Sequence, residues 1–126
     1  MSTPLTNVEI YEGRDLTAEA TGAVTAKTFV KISGNRVSGG NVAVATADAA
    51  GRVAGVAKED ATTGKLLGVA RGASRVLRVT AGGTIAAFAE VEVGTGGKAV
   101  TKSAGIAVGY AITGATNGTD AEISLY

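Results

Sequence analysis

Glu90-Val91-Glu92-Val93-Gly94-Thr95-Gly96-Gly97-Lys98-Ala99-Val100-Thr101 reads as strand, turn, strand. Glu90 to Val93 alternates strictly, so one face carries the valines and the other the acids, the signature of a half-buried strand. The glycines that follow supply the positive φ of a tight turn. Ala99 to Thr101 then resumes as a short strand. Gly94-Thr95-Gly96-Gly97-Lys98-Ala99 also fits the dinucleotide fingerprint, but that fingerprint needs a helix next, whose amino end holds the pyrophosphate. Val100-Thr101-Lys102 is β-like instead, so a hairpin turn is the better reading.

The same cadence extends both ways. Upstream lie Val24 to Ile32, Asn41 to Thr46, Val53 to Ala57, Leu66 to Ala70 and Arg75 to Thr80; downstream lie Gly105 to Ile112 and Ala121 to Tyr126. Turn signals such as Ser33-Gly34-Asn35 and Asn117-Gly118 separate them. The best helical stretch, Thr84 to Glu90, is too short and follows Gly82-Gly83. Short strands at regular spacing predict an all-β fold, a compact small β-barrel or β-sandwich. Residues 1–22 hold the sole proline, Pro4, several acids, and the spaced apolar residues Val8, Ile10, Tyr11 and Leu16. They read as an extended N-terminal arm ahead of a β domain over residues 23–126. Removal of residues 1–20 is then expected to leave that domain folded.

An internal echo accompanies the cadence. Residues 53–64 match residues 103–114 at Ala54/Ala104, Gly55/Gly105 and Ala57/Ala107, while Val24, Ala26, Val30 and Ile32 echo Ile85, Ala87, Val91 and Val93. An Ala/Gly/Thr-rich composition yields such matches by chance, so a duplicated unit and bare composition both stand at this point.

The composition excludes more than it specifies. The chain of 126 residues has a formal net charge of +1, unlike a basic nucleic-acid binder. It has no cysteine and no histidine, which removes thiolate chemistry, zinc–sulfur sites and the commonest general base. The aromatics are Tyr11, Phe29, Phe88, Tyr110 and Tyr126, so alanine and valine must form a thin core that a partner or self-association would help to stabilise. Glu90 and Glu92 alternate with valines and are expected on one solvated face rather than as a catalytic pair. Lys102 beside Ser103 would point to opposite faces of a strand, and Arg71, Arg75 and Arg78 lack neighbouring aromatics on which bases could stack. No apolar run is long enough for a transmembrane helix, and Met1 to Asn7 lacks the basic end and apolar run of a secretory signal. No cofactor, metal or catalytic residue is expected.

The order of elements resembles the head-decoration, or capsid cement, proteins of tailed bacteriophages. The acidic arm is followed by Gly22-Ala23-Val24-Thr25-Ala26, Thr28-Phe29-Val30-Lys31-Ile32-Ser33-Gly34, Val42-Ala43-Val44-Ala45-Thr46-Ala47, Gly55-Val56-Ala57-Lys58-Glu59-Asp60-Ala61, Glu90 to Val93 and Gly105-Ile106-Ala107-Val108-Gly109-Tyr110-Ala111. Lys27 and Phe88 depart from it, each standing where a glycine or small turn residue is usual. The resemblance implies a homotrimer on the outer surface of the capsid, assembled in the host cytoplasm. There it would bridge major capsid proteins, with no enzymatic activity and no direct contact with nucleic acid or membrane. Val8, Ile10, Tyr11 and Leu16 would then be the arm's contacts, Tyr11 foremost because aromatics dominate hot spots. The competing readings are another virion structural component, such as a tail or spike protein, and a small β-barrel ligand-binding module.

Overall fold

The computed structural model describes residues 10, 11, 14–37 and 39–126. The fold is all-β. Its strands are β1 (Leu16–Ala20), β2 (Phe29–Ile32), β3 (Val42–Thr46), β4 (Gly55–Ala57), β5 (Leu66–Ala70), β6 (Val76–Thr80), β7 (Glu90–Val93), β8 (Ala99–Thr101), β9 (Gly109–Ala111) and β10 (Asp120–Leu125). The glycine stretch after β7 is a short 3-10 turn, Thr95–Gly97, with Gly96 and Gly97 at φ 72° and 76°. No helix follows it, so the fingerprint reading fails on its structural requirement.

The first five strands close into a barrel in the order β1-β3-β2-β4-β5. β1 runs parallel to β3, with Ala18 opposite Val42, and antiparallel to β5, with Ala18 opposite Leu67. The expected arm therefore ends earlier than residue 22: Leu16–Ala20 is a barrel strand with neighbours on both sides. Deleting residues 1–20 would open the barrel rather than trim a tail. The alternation of Ala18 and Ala20, both buried, with Thr17 and Glu19 carries this role, and a polar, acidic context masked it.

The second five strands repeat the first. They form a sheet in the order β6-β10-β9-β7-β8, and Ala81, just past β6, meets Ala99 of β8 in one parallel bridge that brings the sheet's edges together. The bridge Val24–Ala61 returns as Ile85–Ala115. Lys27 N donates to Ala57 O at 2.8 Å, and Phe88 N donates to Ala111 O at 2.7 Å. Gly64 N reaches Ala20 O as Gly118 N reaches Ala81 O, both at 2.8 Å. Lys27 and Phe88 both have positive φ, 63° and 68°, so the two departures from the usual turn residue are equivalent positions of two copies of one unit. The Val24/Ile85 echo in the sequence is in this register. The Gly55/Gly105 alignment is four residues out: strand pairing sets Gly55 against Gly109, Ala57 against Ala111 and Ala61 against Ala115.

The paired glycines show why the unit keeps its form. A Cβ on Gly55 would lie 2.3 Å from Ala70 O, and one on Gly109 would lie 2.4 Å from Ser124 O. Each glycine lets its short strand press against the long closing strand of its own half, β5 or β10.

Two apolar clusters form the core. One fills the first barrel with Ala18, Ala20, Val24, Val30, Val44, Ala57, Leu67 and Val69. The other joins Val79, Ile85, Val91, Val93, Ala99, Ala121 and Ile123 of the second half to Phe29, Ala47 and Val56 of the first. Phe29, the largest fully buried side chain, thus leaves its own barrel and fills the second half's core. Gly97 closes the contact, since a Cβ there would lie 2.8 Å from Phe29 O. Thr80 N donates to Lys27 O at 2.8 Å and Ala50 N to Val93 O at 2.8 Å across the same junction. The two halves share one core.

Gly55→Ala and Gly109→Ala are each expected to lower unfolding free energy by about 2 kcal/mol or more, the cost of overpacking against backbone. Gly22→Ala, whose Cβ would meet nothing within 4 Å, is expected to stay within about 0.5 kcal/mol of the parent. Denaturant titration of the three variants checks the contrast.

Candidate interaction surface

Of the four residues expected to contact a partner, the three that are described sit in different surroundings. Val8 lies outside the described residues. Ile10 is 76% exposed and available. Tyr11, 42% exposed, contacts its own chain: the guanidiniums of Arg36 and Arg71 lie 5.5 and 5.6 Å from its ring centroid. Its hydroxyl accepts a hydrogen bond from Arg36 Nη1 at 2.8 Å. Leu16 packs partly buried against the first barrel's core, because it begins β1. Asp15, one residue earlier, accepts from Lys58 Nζ at 2.5 Å and from Arg75 Nη1 at 2.6 Å. Lys58 follows β4 and Arg75 precedes β6, so a single carboxylate ties the start of β1 to both halves. Those two bonds hold the Asp15 carboxyl below the usual 3.8. Of the arginine cluster, Arg71 and Arg75 are thus engaged with Tyr11 and Asp15, while Arg78 is exposed on β6.

The carboxylates of β7 also differ from expectation. Glu92 is only 7% exposed, where a solvated face was expected. Its Oε1 accepts from Ser103 N at 2.8 Å, and a Cβ on Gly105 would fall 1.7 Å from its Oε2. The segment between β8 and β9 folds over it, a tertiary contact that alternation cannot reveal. Glu90 stays exposed and accepts from the Tyr126 hydroxyl at 2.6 Å, which raises that phenol above its usual 10.0. The two acids therefore do not act as a pair. Lys102 Nζ donates to the Ser103 carbonyl at 3.1 Å rather than meeting its hydroxyl. No group of three or more acidic side chains is placed to hold a metal ion among the described residues.

The patch that does assemble is aromatic and lies on the second half. Phe88 and Tyr110 pack edge to face, with ring centroids 5.3 Å apart and planes at 82°. Tyr110 and Tyr126 are 6.1 Å apart. Glu90, Tyr110, Ser124 and Val76 form one row across β7, β9, β10 and β6. Phe88 is 79% exposed, Tyr126 58% and Val76 49%. A phenylalanine at positive φ costs about 1 kcal/mol or more, and an exposed ring does not recover this through burial in its own chain. The row has a counterpart in the first half: Phe29, Val56 and Ala70 of β2, β4 and β5. That row is fully buried, and its Phe29 and Val56 pack into the core of the second half. The sequence carried the signal, an aromatic in a turn at Phe88, but the correct repeat register was needed to interpret it.

No family model matches the chain, and no curated protein sequence matches it. A solved structure does: the head fiber gp8.5 N base of bacteriophage phi29 superposes with a TM-score of 0.76. The match covers 89% of this chain and 92% of that one at 23% sequence identity. The two chains share a fold.

The Asp15 clamp makes a pH-dependent prediction. A carboxyl held low in the folded state stabilises the fold fully above the unfolded value near 3.8. That stabilisation fades as pH falls through the folded value. Asp15→Asn is expected to melt below the parent at pH 7, with the gap between the two narrowing as pH falls below 3.8. A gap that does not narrow on acidification would refute the clamp.

Proposed function

We propose that this chain is a structural protein of a phage virion that sits on the outer surface of the head as a decoration, or cement, protein. In this reading it binds major capsid proteins, acts as a homotrimer and has no catalytic role. The supporting observation is the fold shared over most of both chains with the N base of a phage head fiber. The order of elements in the sequence points the same way. Histidine and cysteine are absent, the formal net charge is +1, and no helix among the described residues is long and apolar enough to cross a membrane. These features suit a protein that works through surfaces. Ile10, exposed on the arm side, and Val8 are the residues assigned to the shell.

A second reading is favoured by the same likeness: this chain matches nearly the whole of a head fiber base, and in this reading it attaches to the head without reinforcing it. The two readings differ in what happens to the shell after binding.

The test is pelleting of purified protein with expanded, undecorated heads of the phage that encodes it, followed by heating. Saturable pelleting with a higher rupture temperature is the expected result. Saturable pelleting with an unchanged rupture temperature would assign the protein as an attachment base. No pelleting by folded protein would overturn both readings.

A further inference from the structure

The repeat gives the aromatic patch a specific meaning. In the first half, Phe29 and Val56 of the row Phe29–Val56–Ala70 pack into the core of the second half of the same chain. In the second half the equivalent row is Glu90–Tyr110–Ser124, in which Ser124 is buried but the described residues leave Glu90 exposed and Tyr110 half-exposed. The substitutions along it are those of a surface that is solvated part of the time: buried Phe29 becomes exposed Glu90, and buried Val56 becomes half-buried Tyr110.

The junction within the chain also indicates what should meet this row. Lys27 Nζ reaches across it to Asp120 at 2.9 Å. The repeat sets Phe88 in the place of Lys27. It sets Leu66, the first residue of β5, in the place of Asp120, the first of β10, since Leu66 opposes Glu19 as Asp120 opposes Thr80. An ion pair inside the chain thus corresponds to a phenylalanine and a leucine at two separate surfaces, 79% and 53% exposed. Ile32 of β2, 55% exposed, holds the position of buried Val93 of β7, whose carbonyl takes part in the junction. Exposed Lys65 stands beside Leu66, and Arg52 shares with Ile32 a shallow groove that the Lys31–Asp48 ion pair also lines, while the aromatic row carries Glu90.

We infer that the Phe88–Tyr110–Tyr126 face of one molecule docks on the Leu66 and Ile32 end of a second copy, head to tail, in imitation of the junction between the two halves. The contact is heterologous, so each molecule keeps one free face of each kind until a ring closes. It places the homotrimer contact of the proposed function on these side chains and rests on that reading only for the number of copies. The left-handed backbone at this turn belongs to the unit, as Lys27 shows; a phenylalanine there, rather than a glycine, is then maintained for the contact.

Sedimentation equilibrium of the full chain tests this. The parent is expected to self-associate. Phe88→Glu and Leu66→Glu, both at exposed positions, are each expected to weaken association at least tenfold. Because each variant spoils only one face, an equimolar mixture of the two should form a one-to-one dimer. Phe88→Gly is expected to raise the melting temperature of the chain while weakening association, a combination that a purely structural role for the ring does not give. A parent that stays monomeric, a Leu66→Glu variant that associates like the parent, or a mixture that stays monomeric would overturn the inference. Pelleting with heads is scored separately: self-association without pelleting contradicts the proposed function and leaves this contact standing, and pelleting by a monomer does the reverse.

Discussion

Phe29 belongs by sequence to the first barrel and by packing to the second half, and the rest of the structure depends on that crossing. Small cores are marginal because surface grows relative to volume, and here each half fills its interior mainly with alanine and valine. Burying a phenylalanine contributes about 2 to 3 kcal/mol, and its truncation to alanine in such a setting costs about 3 to 5 kcal/mol. With Ala47 and Val56 beside it, Phe29 turns two thin units into one core. Gly97 permits the approach, and Thr80 and Ala50 satisfy backbone groups across it. The Lys27–Asp120 pair at the rim is exposed and contributes little by comparison.

The same crossing explains the asymmetry between the halves. Once Phe29 and Val56 of the first half are buried, their counterparts Glu90 and Tyr110 are the exposed and half-exposed copy of an interior surface. Glutamate stands there for phenylalanine and tyrosine for valine, while Gly55/Gly109 and the bridge alanines Ala61/Ala115 of the unit are the same in both halves. A protein that attaches to a larger assembly gains from many repeated weak contacts, and a duplicated unit with one covered and one open face provides such a contact without a deep pocket.

Much of the fold was legible in the sequence because its signals are local. Ala99–Thr101 and Leu66–Ala70 lie at the expected bounds, and the turn at Gly94–Gly97 was decided by the absence of a helix after it. What was not legible depends on distant partners. Leu16–Ala20 looks like part of a polar arm, yet β3 and β5 enclose it. Glu92 looks solvated until the chain near Ser103 and Gly105 folds over it. Val24 to Ile32 and Gly105 to Ile112 read as continuous strands, but each is broken before its paired core, at Lys27 and near Val108. For the site, Tyr11 was singled out for its aromatic ring, and the arginines that contact it, Arg36 and Arg71, are far along the chain. The Phe88 patch required the repeat register, which low-complexity matches placed four residues away.

We propose that this chain sits on the head surface with its aromatic face against another copy of itself. Electron cryomicroscopy of heads saturated with the protein tests it most directly. The account predicts density for the two-unit fold on the outer surface, with Phe88 and Tyr110 of each copy turned toward Leu66 and Ile32 of its neighbour. Heads without such density, or bound copies whose Phe88 faces stand apart in solvent, would contradict it.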